Sequence, residues 1–429
     1  MRVGRVDVGQ RSETVRRANL SAIVRRLHER GPLSRSRLVA STGLTRSAIR
    51  GLVGELASAG LVFEEAAIRL GTPGRPSPLV RLNPNSAVVL ALEIAVDSLA
   101  AALVGLGGVT MEHVRVDRPR GHTSAEDVVA DLANLAGELT ARRPRADPLI
   151  GIGVAVVGVV RRSDGTVSMA PNLGWTDVPL AARLARALAL TVPVSVGNEA
   201  DLGVLAEHRR GAAVGIDDVL FLSGEVGVGG GVIVSGQPLT GAAGYAGEVG
   251  HMPVNPDGSP CRCGSRGCWE TEIGEGALLA RAGHPADAGR SGVEAVLRDA
   301  AAGSPTAVAA LDHVGVWVGT GLAGLVNLFN PRLVVLGGLL GRIHPYVVGT
   351  IEAELTRRAL PAPRALVRIV PATLGVDAPL LGAAELGFEP LLADPAAWLR
   401  PRETVVHLSS ASMDNHGHRI DRARDGRQP

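Results

Sequence analysis

Three cysteines and one histidine form a candidate metal site. Cys261 and Cys263 are one residue apart, Cys268 follows after four more residues, and no other cysteine occurs among the 429 residues. His251 lies upstream of these cysteines, behind a loop rich in Pro, Asn, Gly and Asp. Three thiolates and one imidazole make a closed tetrahedral set, which is typical of structural zinc with no open position for chemistry. A disulfide would leave one thiol unpaired, so a metal in a reducing compartment is favoured.

The segment that must position these ligands is residues 248–270, EVGHMPVNPDGSPCRCGSRGCWE. It contains Glu-x-Gly-His followed by Cys-x-Cys-Gly-x-x-Gly-Cys-x-Glu, which resembles the signature of the ROK family of sugar kinases and sugar-responsive transcription repressors. The resemblance implies a two-lobed, actin-like (ribonuclease H-like) sugar kinase fold over residues 86–390, with a ligand cleft between the lobes. Strand and helix patterns that alternate along this region independently favour an α/β architecture.

The resemblance also implies a sugar site. Carboxylates, amides and imidazoles hydrogen-bond paired hydroxyl groups, and such groups are costly to bury without a partner. His251 would use one ring nitrogen for the sugar and the other for zinc, so that the metal fixes its tautomer. Carried over position by position, the side chains expected to contact a monosaccharide or amino-sugar effector are Asn172, Asn198, Glu248, His251 and Glu270.

Three departures from the family's kinase pattern argue against phosphoryl transfer and against ATP as a cofactor. The first strand is expected to end in Asp-x-Gly-Gly-Thr, but residues 93–97 read Glu-Ile-Ala-Val-Asp, and Asp97 puts negative charge where a γ-phosphate would lie. Glu225 adds a carboxylate before the second glycine-rich loop. Glu199 replaces the family's catalytic Asp, and its extra methylene displaces the carboxylate. Glu199 would be catalytic only in an active kinase.

Residues 1–82 carry a charge that the rest of the chain does not. They contain 15 Arg, no Lys and 6 acidic residues, a net charge of +9, whereas the whole chain has +2. This asymmetry favours an N-terminal segment that meets a polyanion.

The same segment has the pattern of a winged helix-turn-helix. After an N-terminal arm at residues 1–14, apolar spacing predicts a helix at 15–30, a second helix capped by Ser34 and a third capped by Thr45. Two short apolar runs around a loop rich in Pro and Gly predict the wing. Residues 15–82 therefore resemble the DNA-binding domain that ROK repressors carry and free-standing ROK kinases lack.

Four side chains are candidates for contact with a double-stranded DNA operator. Arg46, Ser47 and Arg50 face outward near the N-terminal end of the third helix, the end that meets base edges in the major groove. Guanidinium groups can bind guanine O6 and N7 bidentately. Arg75 at the tip of the wing would reach a minor groove or a phosphate. The alternative interpretations are an ordinary solvated arginine face and a plain hairpin loop.

The remaining features concern location and the C-terminus. No apolar run reaches the roughly 18 to 20 residues that cross a bilayer, and the N-terminus lacks the hydrophobic core of a signal peptide. We therefore expect a cytoplasmic protein without a membrane partner. Residues 391–429 lose apolar periodicity and become polar, which predicts a partly disordered tail.

These observations favour a sugar-responsive transcriptional regulator, a repressor of carbohydrate-metabolism genes that binds a pseudo-palindromic operator as a homodimer or homotetramer. The alternative is an ATP-dependent, glucokinase-like sugar kinase with a fused DNA-binding head, which sugar-driven ADP release would reveal. A zinc-stabilised adaptor without a ligand is a third hypothesis, and a collapsed cleft would be its sign.

Overall fold

A computed structural model describes residues 8–65, 77–121, 123–142 and 147–399. Its helices are α1 Val8–Arg30, α2 Arg35–Thr42, α3 Arg46–Ser58, α4 Ala125–Arg142, α5 Leu180–Leu188, α6 Glu199–Arg210, α7 Glu270–Ile273, α8 Glu275–Arg281, α9 Gly289–Ala301, α10 Pro305–Phe329, α11 Gly338–Arg358, α12 Pro361–Arg364 and α13 Ala378–Ala393. Its strands are β1 Leu33–Ser34, β2 Val62–Glu65, β3 Leu79–Leu82, β4 Val88–Ile94, β5 Ser98–Gly105, β6 Val109–Asp117, β7 Leu149–Val156, β8 Val159–Arg161, β9 Thr166–Ala170, β10 Trp175–Val178, β11 Val194–Asn198, β12 Val219–Gly224, β13 Val228–Val234, β14 Gln237–Pro238, β15 Leu333–Gly337 and β16 Arg368–Pro371.

The N-terminal head consists of α1 to α3 and a three-stranded sheet. Ser34 caps α2 through the backbone N–H of Arg37, and Thr45 caps α3 through that of Ala48, as the sequence predicts. Gly43 ends α2 with a φ of 72°, a conformation that glycine adopts without strain. These local signals fix the tight turn between the second and third helices.

Two parts of the head differ from the prediction. Helix α1 begins at Val8 instead of residue 15, and Glu13 pairs with Arg16 and Arg17 one turn further on, which supports the added turns. Strand β1 pairs with β3 and extends the predicted hairpin to the order β1-β3-β2. The wing tip, including Arg75, lies outside the described residues.

The first lobe is built on a five-stranded sheet with the order β11-β7-β4-β5-β6. Strands β4 and β5 are buried along their whole length, and α4 and α5 cover one face while α13 covers the other. Glycines in β7 let α13 approach closely, since a Cβ at Gly153 would lie 1.8 Å from the backbone oxygen of Ala383. Helix α13 is therefore tightly packed on this sheet.

The second lobe is built on a sheet with the order β14-β13-β12-β15-β16. Helices α10 and α11 pack on it and on each other. Helix α10 is 25 residues long and apolar enough to cross a membrane, but 56% of its most apolar window is buried inside the fold. Val314, Val318 and Leu322 are fully buried in this lobe's core, which is the environment of a core helix.

Residues 391–399 pack on the molecule, and the rest of the predicted tail, residues 400–429, lies outside the described residues. Helix α13 continues to Ala393, and a short 3-10 helix at Pro395–Trp398 contacts α1. Leu391 and Leu392 are buried in the same core as the apolar face of α1. These side chains find their partners in the head, as the hydrogen bond from Ser21 to the backbone oxygen of Leu392 shows across a separation of 371 positions.

Candidate functional site

The cleft between the two lobes contains about 1170 Å³ of empty space, including the part that opens to solvent. It brings together residues that are up to 286 positions apart in the sequence, from Glu93 to Pro379. All eight residues that the sequence analysis places at the sugar or phosphate end line this cleft: Asp97, Asn172, Asn198, Glu199, Glu225, Glu248, His251 and Glu270.

One wall of the cleft contains the cysteine and histidine cluster. Nδ1 of His251 lies 3.7 Å from Sγ of Cys261, and Sγ of Cys263 lies 3.7 Å from Sγ of Cys268. The four ligand atoms are all within 4.8 Å of one another. Tetrahedral zinc with metal–sulfur bonds of about 2.3 Å requires ligand separations of roughly 3.5 to 3.8 Å. The residues present therefore fit a four-coordinate metal ion.

His251 connects this cluster to the cleft. Its Nδ1 faces the cysteines, while its Nε2 lies 4.0 Å from Oε2 of Glu248. The turn at Val249–His251 needs its glycine, because a Cβ at Gly250 would lie 2.0 Å from the backbone oxygen of Val228. Burial raises the pKa of Glu248 even though His251 opposes the shift. One ring nitrogen thus points to the metal ligands and the other to the cavity.

Glu270 also contacts both the cluster and the cleft. The thiol of Cys261 donates a hydrogen bond of 2.9 Å to Oε1 of Glu270, and Nδ1 of His251 is 3.8 Å from the same oxygen. A metal-bound thiolate has no proton to donate. Loading the cluster would therefore free this carboxylate oxygen for another donor.

The two asparagines have partners within the protein. Oδ1 of Asn198 accepts from the N–H groups of Ala200 and Asp201, and its Nδ2 donates to the backbone oxygen of Gly158. Asn198 thereby caps α6 and fixes the start of the helix that carries Glu199. Oδ1 of Asn172 accepts a bond of 2.7 Å from Arg262.

Ion pairs fill the opposite end of the cleft. Arg120 donates 2.9 Å to Asp97 and also pairs with Glu275, which is 3% exposed. Arg290 donates 3.3 Å to the other oxygen of Asp97. Because Asp97 belongs to the first lobe while Glu275 and Arg290 belong to the second, these contacts cross the cleft.

Two further carboxyl groups at this end have raised pKa values. Burial, followed by the charges of Glu93 and Glu225, raises the pKa of Glu199 to about 8. Burial also raises the pKa of Glu225 to about 7. The Glu225 carboxylate lies against Gly338, where an added Cβ would meet its Oε1 at 2.6 Å. At neutral pH, Glu199 therefore holds a proton.

A family model described as the ROK family matches residues 89–389. The chain belongs to the ROK family. It is 29% identical over 383 residues to a xylose repressor of Bacillus spizizenii, covering 88% of this chain and 97% of that one.

Two solved ROK structures show the same fold. The ROK transcriptional regulator described as a homologue of the E. coli MLC protein covers 90% of this chain and 97% of its own, with a TM-score of 0.72 and 26% identity. The ROK glucokinase of Streptomyces griseus in complex with glucose and AMPPNP covers 70% of this chain and 99% of its own, with a TM-score of 0.61 and 29% identity. The two-lobed, actin-like fold predicted from the ROK signature is confirmed.

Several charged residues of the ROK cleft were not found from the sequence. Glu93, which is 4% exposed, accepts two bonds from Arg115, and Arg115 also donates 3.0 Å to Asp377. Arg262 lies inside the ROK signature but at a position that the pattern leaves open. Nothing in the sequence around Arg115 of β6 indicates a role in the cleft, because its partners Glu93 and Asp377 come from distant parts of the chain.

The head exposes the side chains predicted to meet DNA. Arg46, Ser47 and Arg50 are exposed at the N-terminal end of α3, while Ile49 and Leu52 on the opposite face are buried. Ser47 lies 3.1 Å from the capping hydroxyl of Thr45. Three side chains of one helix end are thus open to solvent on one surface.

Proposed function

We propose that this ROK protein is a cytoplasmic, sugar-responsive repressor of transcription that binds operator DNA as a homodimer or homotetramer. One observation carries the proposal: the regulator structure covers 90% of this chain, whereas the glucokinase structure covers 70%. The difference is similar to the length of the head, which a kinase does not need. Similarity to a xylose repressor supports the same function and makes a pentose or hexose the first effector to test.

In the proposed complex, α3 enters the major groove. Arg46 and Arg50 are placed to reach guanine edges, and Ser47 to reach a base or a phosphate. Arg75 is the proposed contact of the wing. Two heads related by a two-fold axis would occupy half-sites about 34 to 36 Å apart, or a multiple of that spacing.

In the cleft, Glu248, His251 and Glu270 are the proposed direct partners of the sugar hydroxyls. Their acceptors and the free Nε2 of His251 surround the space next to the metal cluster. Asn172 and Asn198 would contribute their remaining hydrogen-bonding capacity, since each already has a protein partner. Carboxylates accept bonds from hydroxyl groups more strongly than neutral acceptors do, which favours a polyhydroxylated ligand.

We propose that the metal is structural zinc. When bound, zinc supplies a rigid brace that keeps Nδ1 of His251 deprotonated and its ring in place. Cys261, Cys263 and Cys268 would hold it together with His251. The chain's own residues then present Nε2 of His251 and the carboxylate of Glu270 to the cleft.

We further propose that the domain does not transfer phosphate. Asp97 and Glu225 put carboxylates where the phosphates of ATP would need electrostatic stabilisation, and Arg120 and Arg290 are already paired with Asp97. Because its pKa is raised to about 8, Glu199 is protonated in most molecules at pH 7, and only a minority could accept a proton from a sugar hydroxyl. A glucokinase remains the alternative, since glucokinases belong to the same family.

Footprinting on the DNA upstream of the protein's own gene tests the proposal, with and without D-xylose, D-glucose and N-acetylglucosamine. We expect a protected site that weakens when one of these sugars is added. No protection at low salt would contradict DNA binding. Release of ADP driven by any of these sugars would favour the kinase.

A further inference from the structure

A buried ion network joins the head to the ROK domain. Its centre is Glu385 on α13, which is 1% exposed. Nη1 of Arg209 donates to one carboxylate oxygen at 2.8 Å, and Nε of Arg210 donates to the other at 2.6 Å. Both arginines are the last residues of α6. The end of α6 is therefore clamped to α13.

His28 of the head completes the network. It is 1% exposed, and its Nε2 lies 3.0 Å from Oε2 of Glu385. The N–H of Gly107 donates to Nδ1 of His28 at 3.1 Å, and Nη2 of Arg210 lies 2.7 Å from Nε2 of the same ring. Arg210 also donates to the backbone oxygens of Gly107 and His28 at 2.9 and 3.4 Å. One guanidinium thus contacts α1, α13 and the turn between β5 and β6.

Removing one member of the network is expected to destabilise the protein, because Glu385 is a buried charge that depends on its partners. Burial alone would raise the pKa of Glu385, but His28, Arg210 and Arg209 outweigh it and hold the pKa well below its usual value. The carboxylate is therefore ionised inside the protein, where loss of one partner leaves an uncompensated charge. A displacement of Arg210 cannot be absorbed locally without moving its partners.

The other end of α6 lies in the cleft. Asn198 caps the helix and Glu199 lines the cavity, so the 12 residues of α6 connect the cleft to the network over roughly 18 Å, at about 1.5 Å per residue.

Helix α6 also lies between the two lobes. A Cβ at Gly382 of α13 would meet the backbone oxygen of Leu202 at 1.9 Å, and one at Gly231 of β13 would meet that of Ala200 at 2.6 Å. The helix therefore touches the first lobe's α13 on one side and the second lobe's sheet on the other. A change in the angle between the lobes must shift α6 against one of these surfaces.

We propose that Arg210 is a positioning residue that couples the cleft to the DNA-binding head. Movement of α6 against α13 passes through Glu385 and His28 to α1. This inference rests on the proposed function, because it specifies how a sugar in the cleft reaches the DNA. The head has other contacts with the domain that do not involve α6, such as the ion pair of 3.1 Å between Arg17 and Asp394. These contacts attach α1 to the domain without passing through α6.

The test compares Arg210→Met with the matched control Arg17→Met in the full chain. Both changes replace a guanidinium by an uncharged side chain at a contact of α1 with the domain, but only Arg210 lies on α6. The affinity for a duplex carrying the footprinted site is measured by fluorescence anisotropy with and without saturating sugar. The sugar is whichever of D-xylose, D-glucose and N-acetylglucosamine binds the wild type in calorimetry.

For the wild type we expect the sugar to change the DNA affinity by about 5- to 150-fold, the usual range of coupling between sites. In Arg210→Met this ratio falls to about 1 to 2, while sugar affinity and sugar-free DNA affinity stay within about threefold of the wild type. Arg17→Met keeps the wild-type ratio, and Arg210→Lys, which keeps the charge but loses the fork of donors, gives an intermediate ratio.

Full coupling in a folded Arg210→Met protein overturns the inference, as does an equal loss in Arg17→Met. If Arg210→Met does not fold, the ratio of DNA affinities with and without sugar is measured for Arg210→Lys instead, and a wild-type ratio in that variant overturns the inference. Hydrogen exchange of α1 in the absence of DNA gives a second measurement. Sugar should change the exchange of residues 17–30 in the wild type, and an unchanged α1 overturns the inference. A wild type that binds neither sugar nor DNA overturns the proposed function instead.

Discussion

Replacing Glu199 by Gln is expected to stabilise the protein at neutral and alkaline pH. Burial, then the charges of Glu93 and Glu225, raises the pKa of this carboxyl from 4.5 to about 8. Between these two values the folded state binds more protons than the unfolded chain, so stability falls as the pH rises. Glutamine has no proton to lose and removes this dependence. Glu385 has the opposite effect on the pH dependence of stability. Because its pKa is lowered in the folded state, it stabilises the protein at pH values above its pKa in the unfolded chain, and this stabilisation is lost as the pH falls.

The size of the effect follows from the shift. A change from 4.5 to about 8 corresponds to an upper limit on the order of 4 to 5 kcal/mol, reached near pH 8. Glu225 interacts with Glu199 and is itself shifted to about 7, so part of this free energy belongs to the pair. We therefore expect Glu199→Gln to raise the free energy of unfolding by about 2 to 4 kcal/mol at pH 8 and by less than about 1 kcal/mol at pH 5.

Urea denaturation at pH 5, 7 and 8 measures this effect through tryptophan fluorescence. Three of the 4 tryptophans, Trp175, Trp269 and Trp317, belong to the ROK domain, whereas Trp398 lies where the C-terminal segment packs on α1, so most of the signal reports on the ROK domain. Glu138→Gln, at an exposed position of α4, is the matched control and should leave the midpoint unchanged at every pH. A Glu199→Gln protein that is no more stable than the wild type at pH 8 would refute a protonated Glu199. Wild-type ADP release that disappears in this variant would identify Glu199 as a catalytic base.

Three further predictions concern the metal, the DNA and the contact between α13 and α6. Cys263→Ser should lower the zinc content measured by mass spectrometry and weaken the sugar-induced thermal shift before it weakens DNA binding; a full complement of zinc would contradict this. Arg50→Ala should cost about 1 to 3 kcal/mol on the operator and less on unrelated duplex, and an equal loss on both would argue against base contact. Gly382→Ala should destabilise the protein by at least about 1 to 3 kcal/mol, because its Cβ would lie 1.9 Å from the backbone oxygen of Leu202; an unchanged midpoint of unfolding would contradict such close packing.

The features that were predicted from the sequence depend on neighbours along the chain. Thr45 caps α3 through a residue three positions away, and the apolar spacing that follows gives the buried face of that helix. The metal cluster could also be predicted from the sequence, because its four ligands lie within 18 consecutive residues. Local spacing determines both.

The features that were missed depend on contacts between distant segments. His28 and Glu385 are 357 positions apart, and Arg120 and Glu275 are 155 apart. The local sequence around each of these residues looks like that of an ordinary solvent-exposed charged residue, because the partners come together only when the chain folds. The packing of residues 391–399 on α1 has the same cause. Long-range ion pairs and packing therefore had to be read from the structure.

The central claim is that one chain binds DNA through its head and changes that binding when a sugar occupies the cleft. The most direct measurement is a titration of the wild-type protein into labelled duplex carrying its upstream site, repeated with increasing sugar and with ATP present. We predict that the dissociation constant shifts by about 5-fold or more and saturates with the sugar, while no ADP forms. A dissociation constant that does not respond to any bound sugar, or sugar-driven formation of ADP, would contradict the claim.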